Sequence, residues 1–143
     1  MTTLLDALAA LRPGSAFTMA PGDFATLRWQ DPDRDQPTLD AVLAKQAELE
    51  AKARIDAVKA EARRRITQRF PDWKQANMTA RGVELTFKLA QGQSLDASEA
   101  AEVAALQAAW AWIKTVRSAS DAIEALAPIP EDFASDIRWP ESG

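Results

Sequence analysis

The chain has 143 residues, no cysteine and no histidine, and its formal net charge is −4. These absences exclude thiol nucleophiles, disulfides, zinc sites with the usual ligands and histidine acid–base chemistry. The small negative charge makes nucleic acid an unlikely partner. Hydrophobic residues make up 47% of the chain, but much of this fraction is alanine. We therefore expect an elongated, mainly helical body with few large core side chains.

The hydropathy pattern gives no reason to expect a membrane protein. No apolar run reaches the roughly 18–20 residues that a membrane-spanning helix needs. The start, Met1-Thr2-Thr3, lacks the basic residues of a signal peptide. The expected location is therefore the cytoplasm, with no membrane contact.

Composition divides the chain into three parts. Residues 1–36 are predicted to hold a short helix, a β-hairpin and a polar linker, residues 38–127 a helical body, and residues 128–143 a tail. The predicted fold class is mainly α: an antiparallel helical bundle or coiled-coil hairpin, with a small N-terminal β-hairpin and a short C-terminal strand.

The N-terminal part shows helix and hairpin signals in succession. Thr3 can cap a helix over Leu4–Leu11, because its hydroxyl can accept a bond from a free amide of the first turn. Segments 16–19 and 24–29, which contain aromatic residues, then flank a Pro-Gly-Asp turn. This pattern predicts a β-hairpin.

Three helices are predicted in the body, at about 38–69, 72–91 and 97–126. Pro71 separates the first from the second, because proline cannot continue a helix from the preceding turn. Asp96 opens a capping box at the start of the third helix.

The first body helix carries a coiled-coil-like seam. Its apolar members are Leu39, Val42, Leu49 and Ala53, and Gln46 occupies the position between them. A polar residue weakens such a seam but can set its register. The pattern predicts self-association, so the chain is expected to form a homo-oligomer.

Cations crowd around Pro71: they are Arg63, Arg64, Arg65, Arg69 and Lys74. A phosphate or nucleic-acid site, with Trp73 for stacking, is one interpretation. However, consecutive helical residues turn by about 100° and form no narrow stripe. Cations near a helix C-terminus also interact favourably with its dipole. We interpret the cluster as structural, with Phe70 and Trp73 packing at the helix junction.

The third body helix contains two tryptophans, Trp110 and Trp112. They are two residues apart and therefore point to different faces, which predicts one in the core and the other at an interface. In the tail, Ile137 and Trp139 alternate, which favours a short strand over residues 136–139.

No residue pattern indicates an enzyme. Acidic pairs such as Glu99 with Glu102 have ordinary helical spacing, and no nucleophile, electrophile or metal ligand accompanies them. We assign no catalytic, cofactor-binding or metal-binding residue.

The segment Ile66 to Leu85 resembles small proteins encoded beside tail-fibre genes in tailed bacteriophages and prophages. Its centre reads Phe70-Pro71-Asp72-Trp73-Lys74-Gln75-Ala76-Asn77-Met78. Further similarities extend over roughly residues 24–139: Trp29 after a short hairpin, a Pro-Thr helix entry, Ile113-Lys114-Thr115-Val116-Arg117, and Ile137-Arg138-Trp139-Pro140.

Members of this family are described as tail-fibre assembly proteins or as uncharacterised tail-associated proteins. The resemblance implies a non-enzymatic protein that contacts a tail fibre or another tail protein. Two versions follow: an assembly chaperone in the bacterial host cytoplasm, or a component retained in the virion tail. The alternative is a generic coiled-coil oligomerisation or adaptor protein unrelated to phage.

We predict that aromatic side chains bind the partner, namely Phe17, Phe24, Trp29, Trp112 and Trp139. In this hypothesis Trp29 and Trp139, with the adjoining strands, form the binding end. Strand addition to an exposed sheet edge is the expected mode.

Overall fold

The structure, a computed structural model, describes residues 1–141. Within this range the chain is mainly helical, as predicted. Its elements are α1 (Leu4–Leu11), β1 (Phe17–Ala20), β2 (Asp23–Trp29), α2 (Leu39–Arg69), α3 (Asp72–Ala90), α4 (Ala97–Glu124) and a 3₁₀ turn (Asp136–Arg138). The predicted helices and hairpin are therefore confirmed to within a few residues.

The chain divides into two compact units, and the boundary between them falls inside α2. The first unit is Met1–Asp56, and the second begins at Ala57. Composition alone suggested a division at the linker before α2. The boundary lies further along the chain because the first part of α2 packs with the N-terminal elements: Val42 shares a buried cluster with Ala7 and Leu8.

The first unit is organised by a capped helix and a hairpin. The Thr3 hydroxyl accepts a bond from the Asp6 amide at 3.1 Å, and the Asp6 carboxylate accepts one from the Thr3 amide at 2.8 Å. The two strands are antiparallel, with Phe17 opposite Trp29. Gly22 has a φ of +78°, a conformation that glycine adopts without steric cost.

The seam predicted on α2 is partly used within the first unit. Val42 is fully buried against α1. The Gln46 side-chain amide donates a bond to the Thr2 carbonyl oxygen at 2.7 Å. Gln46 thus has a partner inside the chain, which explains a polar residue at this position without a second copy.

The core of the second unit is built from one face of each of its helices. Its buried apolar residues are Val58, Ala62, Ile66 and Phe70 from α2 and its end, Met78 and Leu85 from α3, Ile113, Val116 and Ile123 from α4, and Ile129 and Trp139 from the tail. Val58, Ala62 and Ile66 follow one another at intervals of four residues and therefore share one face of α2.

Pro71 breaks the helical run as predicted. Its backbone is extended, with φ −53° and ψ 154°, and α3 starts at the next residue. The Gln75 side chain donates to the Phe70 carbonyl oxygen at 2.7 Å, so a carbonyl freed at this break has a partner.

The predicted C-terminal strand is wrong. Residues 136–138 form a 3₁₀ turn, in which the Trp139 amide donates to the Asp136 carbonyl oxygen at 3.1 Å. Ile137 is 86% exposed and Trp139 is 5% exposed. A strand would place Ile137 and Trp139 on one face, because side chains two positions apart point the same way. The 3₁₀ turn places them in different environments, so the apolar spacing of two misled.

We expect Gly82→Ala to stabilise the second unit. Gly82 lies inside α3, and a Cβ added there meets no atom within 4 Å. Alanine should therefore raise the free energy of unfolding by about 0.5–1 kcal/mol through its helix propensity.

Gly92→Ala is the matched control, measured by the same denaturant titration. Its added Cβ also meets nothing within 4 Å, but its φ is +76°. It should lower the free energy of unfolding by about 1–2 kcal/mol, the cost of a left-handed conformation for an L side chain. Equal effects of the two substitutions would contradict this account.

Candidate functional site

The hairpin aromatics predicted to bind a partner lie together in the first unit. The rings of Phe17 and Trp29 stack with centroids 5.9 Å apart and planes within 8°. The Trp29 indole donates to the Arg34 carbonyl oxygen at 2.7 Å. Phe24 packs against the buried cluster of α1 and α2. All three side chains are half-buried, so each keeps some surface for a partner.

Trp112, predicted as an interface residue, has partners within the second unit. Its ring centroid lies 5.8 Å from that of Phe70, and the Arg69 guanidinium lies 4.6 Å from the ring centroid. Its indole donates to the Glu141 carbonyl oxygen at 2.9 Å. Trp112 therefore holds the end of the tail on α4 and is only partly exposed.

Trp139 is a core residue, and this corrects its assignment to a partner surface. Its side chain is buried, its indole donates to the Phe133 carbonyl oxygen at 2.7 Å, and the Arg65 guanidinium lies 5.2 Å from its ring centroid. Residues 136–138 form a 3₁₀ turn, so the adjoining strand that the predicted binding end required is not formed there.

Arg65 joins the tail to α2. It is 9% exposed, and its guanidinium donates to Glu61 at 2.7 Å, to Asp136 at 2.7 Å and to the Ala134 carbonyl oxygen at 2.8 Å. The hydrogen bond from Arg64, followed by that from Arg65, keeps the pKa of Glu61 below its ordinary value against the opposing effect of burial.

The remaining cations around Pro71 also contact their own chain. Arg63 lies 3.4 Å from the Asp72 carboxylate, and Arg69 and Lys74 lie over the Phe70 ring at 5.4 and 5.3 Å. These contacts favour the structural interpretation of the basic cluster over a phosphate site.

Trp73 differs from its predicted role at the helix junction. It is 67% exposed, whereas Phe70 is buried and contacts Trp112. Both were expected to pack at the break. The two side chains differ in exposure because they lie on either side of Pro71. Phe70 follows the buried face of α2, while Trp73 begins the outer face of α3.

The outer face of α3 is an exposed apolar stripe, which we call the α3 seam. Three of its members are large and more than 60% exposed, and the alanines between them are exposed as well. The six residues are separated by 3, 4, 3, 4 and 3 positions: Trp73, Ala76, Ala80, Val83, Phe87 and Ala90. They fall within an arc of about 100° on the helix.

Ion pairs between α3 and α4 lie on the covered side of α3. Arg81 contacts Glu102 at 2.7 Å, and Lys88 contacts Glu99 at 2.6 Å. They lie on the same side of α3 as the buried Met78 and Leu85, and α4 covers this side. The seam lies on the opposite side of the helix.

An open groove of about 510 Å³ borders the seam. Val83, Phe87 and Ala90 of the seam form one wall, Trp110 of α4 lines it, and Gly82 is among its other residues. Of the two tryptophans on α4, Trp110 is therefore the one beside the exposed apolar surface, although Trp112 was predicted to serve there.

The α3 seam is visible in the sequence. The apolar residues of α3 include Met78 and Leu85 as well as Trp73, Ala76, Ala80, Val83 and Phe87. Separating the residues by the 3–4 spacing of a heptad divides them into two opposite faces. The exposed face is the one without Met78 and Leu85.

Residues 1–141 show no convergent metal-binding group of three or more acidic, cysteine or histidine side chains. None of the helices in this range combines the length and apolar character needed to cross a bilayer. None of the protein-family models, curated proteins and solved structures compared with the chain matches it.

We expect Arg65→Met to destabilise the second unit by about 2 kcal/mol, because methionine cannot replace the charge-assisted hydrogen bonds to Glu61 and Asp136. Arg64→Met is the control: Arg64 shares Glu61 with Arg65, but its side chain is 56% exposed. Its loss should cost at most about 1 kcal/mol. Urea unfolding followed by tryptophan fluorescence measures both, and equal losses would show that Arg65 has no special role.

Stability should fall in acid. Hydrogen bonds from Arg64, Lys88 and Arg81, respectively, are the main causes that lower the pKa values of Glu61, Glu99 and Glu102. Because these pKa values are lower in the folded chain, the unfolded chain binds more protons in acid. The contribution of the three carboxylates to the free energy of unfolding is therefore complete above the ordinary glutamate pKa of about 4.3. It is lost as the pH falls through the lower pKa values of the folded chain.

Thermal midpoints measured between about pH 6 and pH 3 test this prediction. Glu61→Gln should lower the midpoint at the upper end and reduce its change across the range, because this carboxylate no longer titrates. A midpoint that rises on acidification would contradict the pKa directions.

Proposed function

We propose that the chain is a non-enzymatic protein that acts by protein–protein contact in the assembly or attachment of a phage tail fibre. One observation carries the proposal: the segment that resembles tail-fibre-associated proteins, residues 66–85, includes much of the helix that bears the α3 seam. Trp73, Val83 and Phe87 are each more than 60% exposed there.

The physical argument is the cost of this surface. Exposed aromatic and aliphatic side chains in a continuous stripe are unfavourable in water, and such patches mark interaction sites. A partner that covers the stripe removes this apolar area from water, which is the usual source of interface energy.

The proposal includes two versions. A chaperone acts on the fibre in the bacterial host cytoplasm and is absent from the finished particle. A structural component stays in the virion tail. Mass spectrometry of purified particles separates them, because only the retained component is found in a fixed ratio to the fibre protein.

The proposal expects a fibre gene beside the gene for this chain, and copurification of the two products after coexpression. Phe87→Ser should weaken the complex by about 30-fold or more, since a buried aromatic anchor contributes about 2 kcal/mol or more. Binding is measured by titration calorimetry with the purified proteins.

Ile137→Ser is the matched control for this measurement. Ile137 is 86% exposed and lies outside α3, in the tail of the same unit. Its substitution should leave the affinity unchanged. A fibre protein that fails to copurify with the unmodified chain would refute the proposal. Equal losses of affinity in the Phe87→Ser and Ile137→Ser variants would show that the α3 seam is not the binding surface.

A further inference from the structure

We propose that the α3 seam pairs with the same seam of a second copy of this chain, in antiparallel orientation about a two-fold axis. The inference names an occupant for the surface on which the proposed function rests, but its evidence is independent of phage biology. It comes from the order of large and small side chains along α3.

The seam has the period of a coiled coil. Its spacing of 3, 4, 3, 4 and 3 residues matches alternating a and d positions over about two and a half heptads. An apolar face with this period fits another helix of the same period, because each side chain then enters a space between side chains of the partner. The contact would extend over about 25 Å.

Large and small residues are placed symmetrically about the centre of the seam, between Ala80 and Val83. In an antiparallel pair, the a and d positions of one helix face d and a positions of the other. Each large side chain then faces an alanine: Trp73 faces Ala90 of the partner subunit, Phe87 faces Ala76 of the partner subunit, and Val83 faces Ala80 of the partner subunit.

This arrangement satisfies the requirement of a two-fold interface, in which one surface must complement itself. We call each pair of facing side chains a layer. Every layer holds one large and one small side chain, so no layer is overfilled or empty. A parallel pair would instead place Trp73 against Trp73 and Ala80 against Ala80 of the partner subunit. Its layers would alternate between crowded and hollow, which disfavours that orientation.

The flanks of the seam do not oppose such pairing. Thr79 would lie beside Thr86 of the partner subunit, and Asn77 beside Glu84 of the partner subunit. Two flanking acids are already paired in their own chain, Asp72 with Arg63 at 3.4 Å and Glu84 with Arg81 at 3.0 Å. No repulsion between like unpaired charges is therefore introduced at these positions.

Sedimentation of the full chain from about 1 µM to about 1 mM tests the proposal, a range that detects weak association. We expect a concentration-dependent change from monomer to dimer. Phe87→Ala, which leaves a hollow, and Ala76→Phe, which places two phenylalanines in one layer, should each weaken the dimer at least tenfold, roughly the effect of losing one anchor.

The double variant Ala76→Phe with Phe87→Ala is the decisive arm, because it exchanges the two partners of one layer. In the antiparallel pair each affected layer again holds one phenylalanine and one alanine, so affinity should return to within about threefold of the original. Ile137→Ser should leave association unchanged. Circular dichroism and thermal midpoints establish that each variant is folded.

Cross-linking gives the orientation without relying on affinity, since the chain has no cysteine. Trp73→Cys and Ala90→Cys chains, mixed and oxidised, should form the mixed disulfide dimer, whereas neither chain alone should form one efficiently. Efficient dimers of Trp73→Cys alone would show parallel pairing and overturn the proposal.

Two further results would overturn the proposed dimer. One is a chain that stays monomeric throughout the concentration range. The other is a double variant that dimerises as weakly as the two single variants. The fibre experiment is separate: a monomer that binds the fibre protein through Phe87 keeps the proposed function and removes this inference. A dimer that binds no fibre protein would keep this inference and remove the proposed function.

Discussion

The buried guanidinium of Arg65 is the group on which the order of the second unit depends. A buried cation is tolerated only when its donors are satisfied, and Arg65 reaches Glu61 on its own helix and Asp136 and the Ala134 carbonyl oxygen in the tail. The last two contacts join positions 71 and 69 residues apart in the chain. The apolar face of its planar group lies over Trp139, so charge and ring share one buried site.

The tail and α4 cover different parts of the second unit. The tail contributes Ile129 and Trp139 to the core and reaches Trp112 through the Glu141 carbonyl oxygen. α4 covers one side of α3 through Arg81 and Lys88. The other side of α3, with Val83 and Phe87, stays exposed within the part of the chain that the structure describes. The seam is therefore the side of α3 that α4 leaves uncovered.

Local interactions could be predicted from the sequence, and distant ones could not. The caps at Thr3 and Asp96 and the break at Pro71 depend on groups within a few residues. The partners of Arg65 lie in a segment whose alternation also fits a strand, so the pattern could not reveal them. For α3 the difficulty was different: both faces are apolar, and hydrophobic spacing alone does not say which face α4 will cover.

The composition of the seam explains how the chain can leave it exposed. Its alanines present little apolar area, so the free protein bears the cost of Trp73, Val83 and Phe87 only. The same alanines are the spaces that a complementary helix needs. A contact over a seam of about 25 Å would be short enough for reversible association. If both proposals hold, a fibre protein and a second copy compete for one surface, and dimer dissociation becomes the step that exposes Phe87 to the fibre.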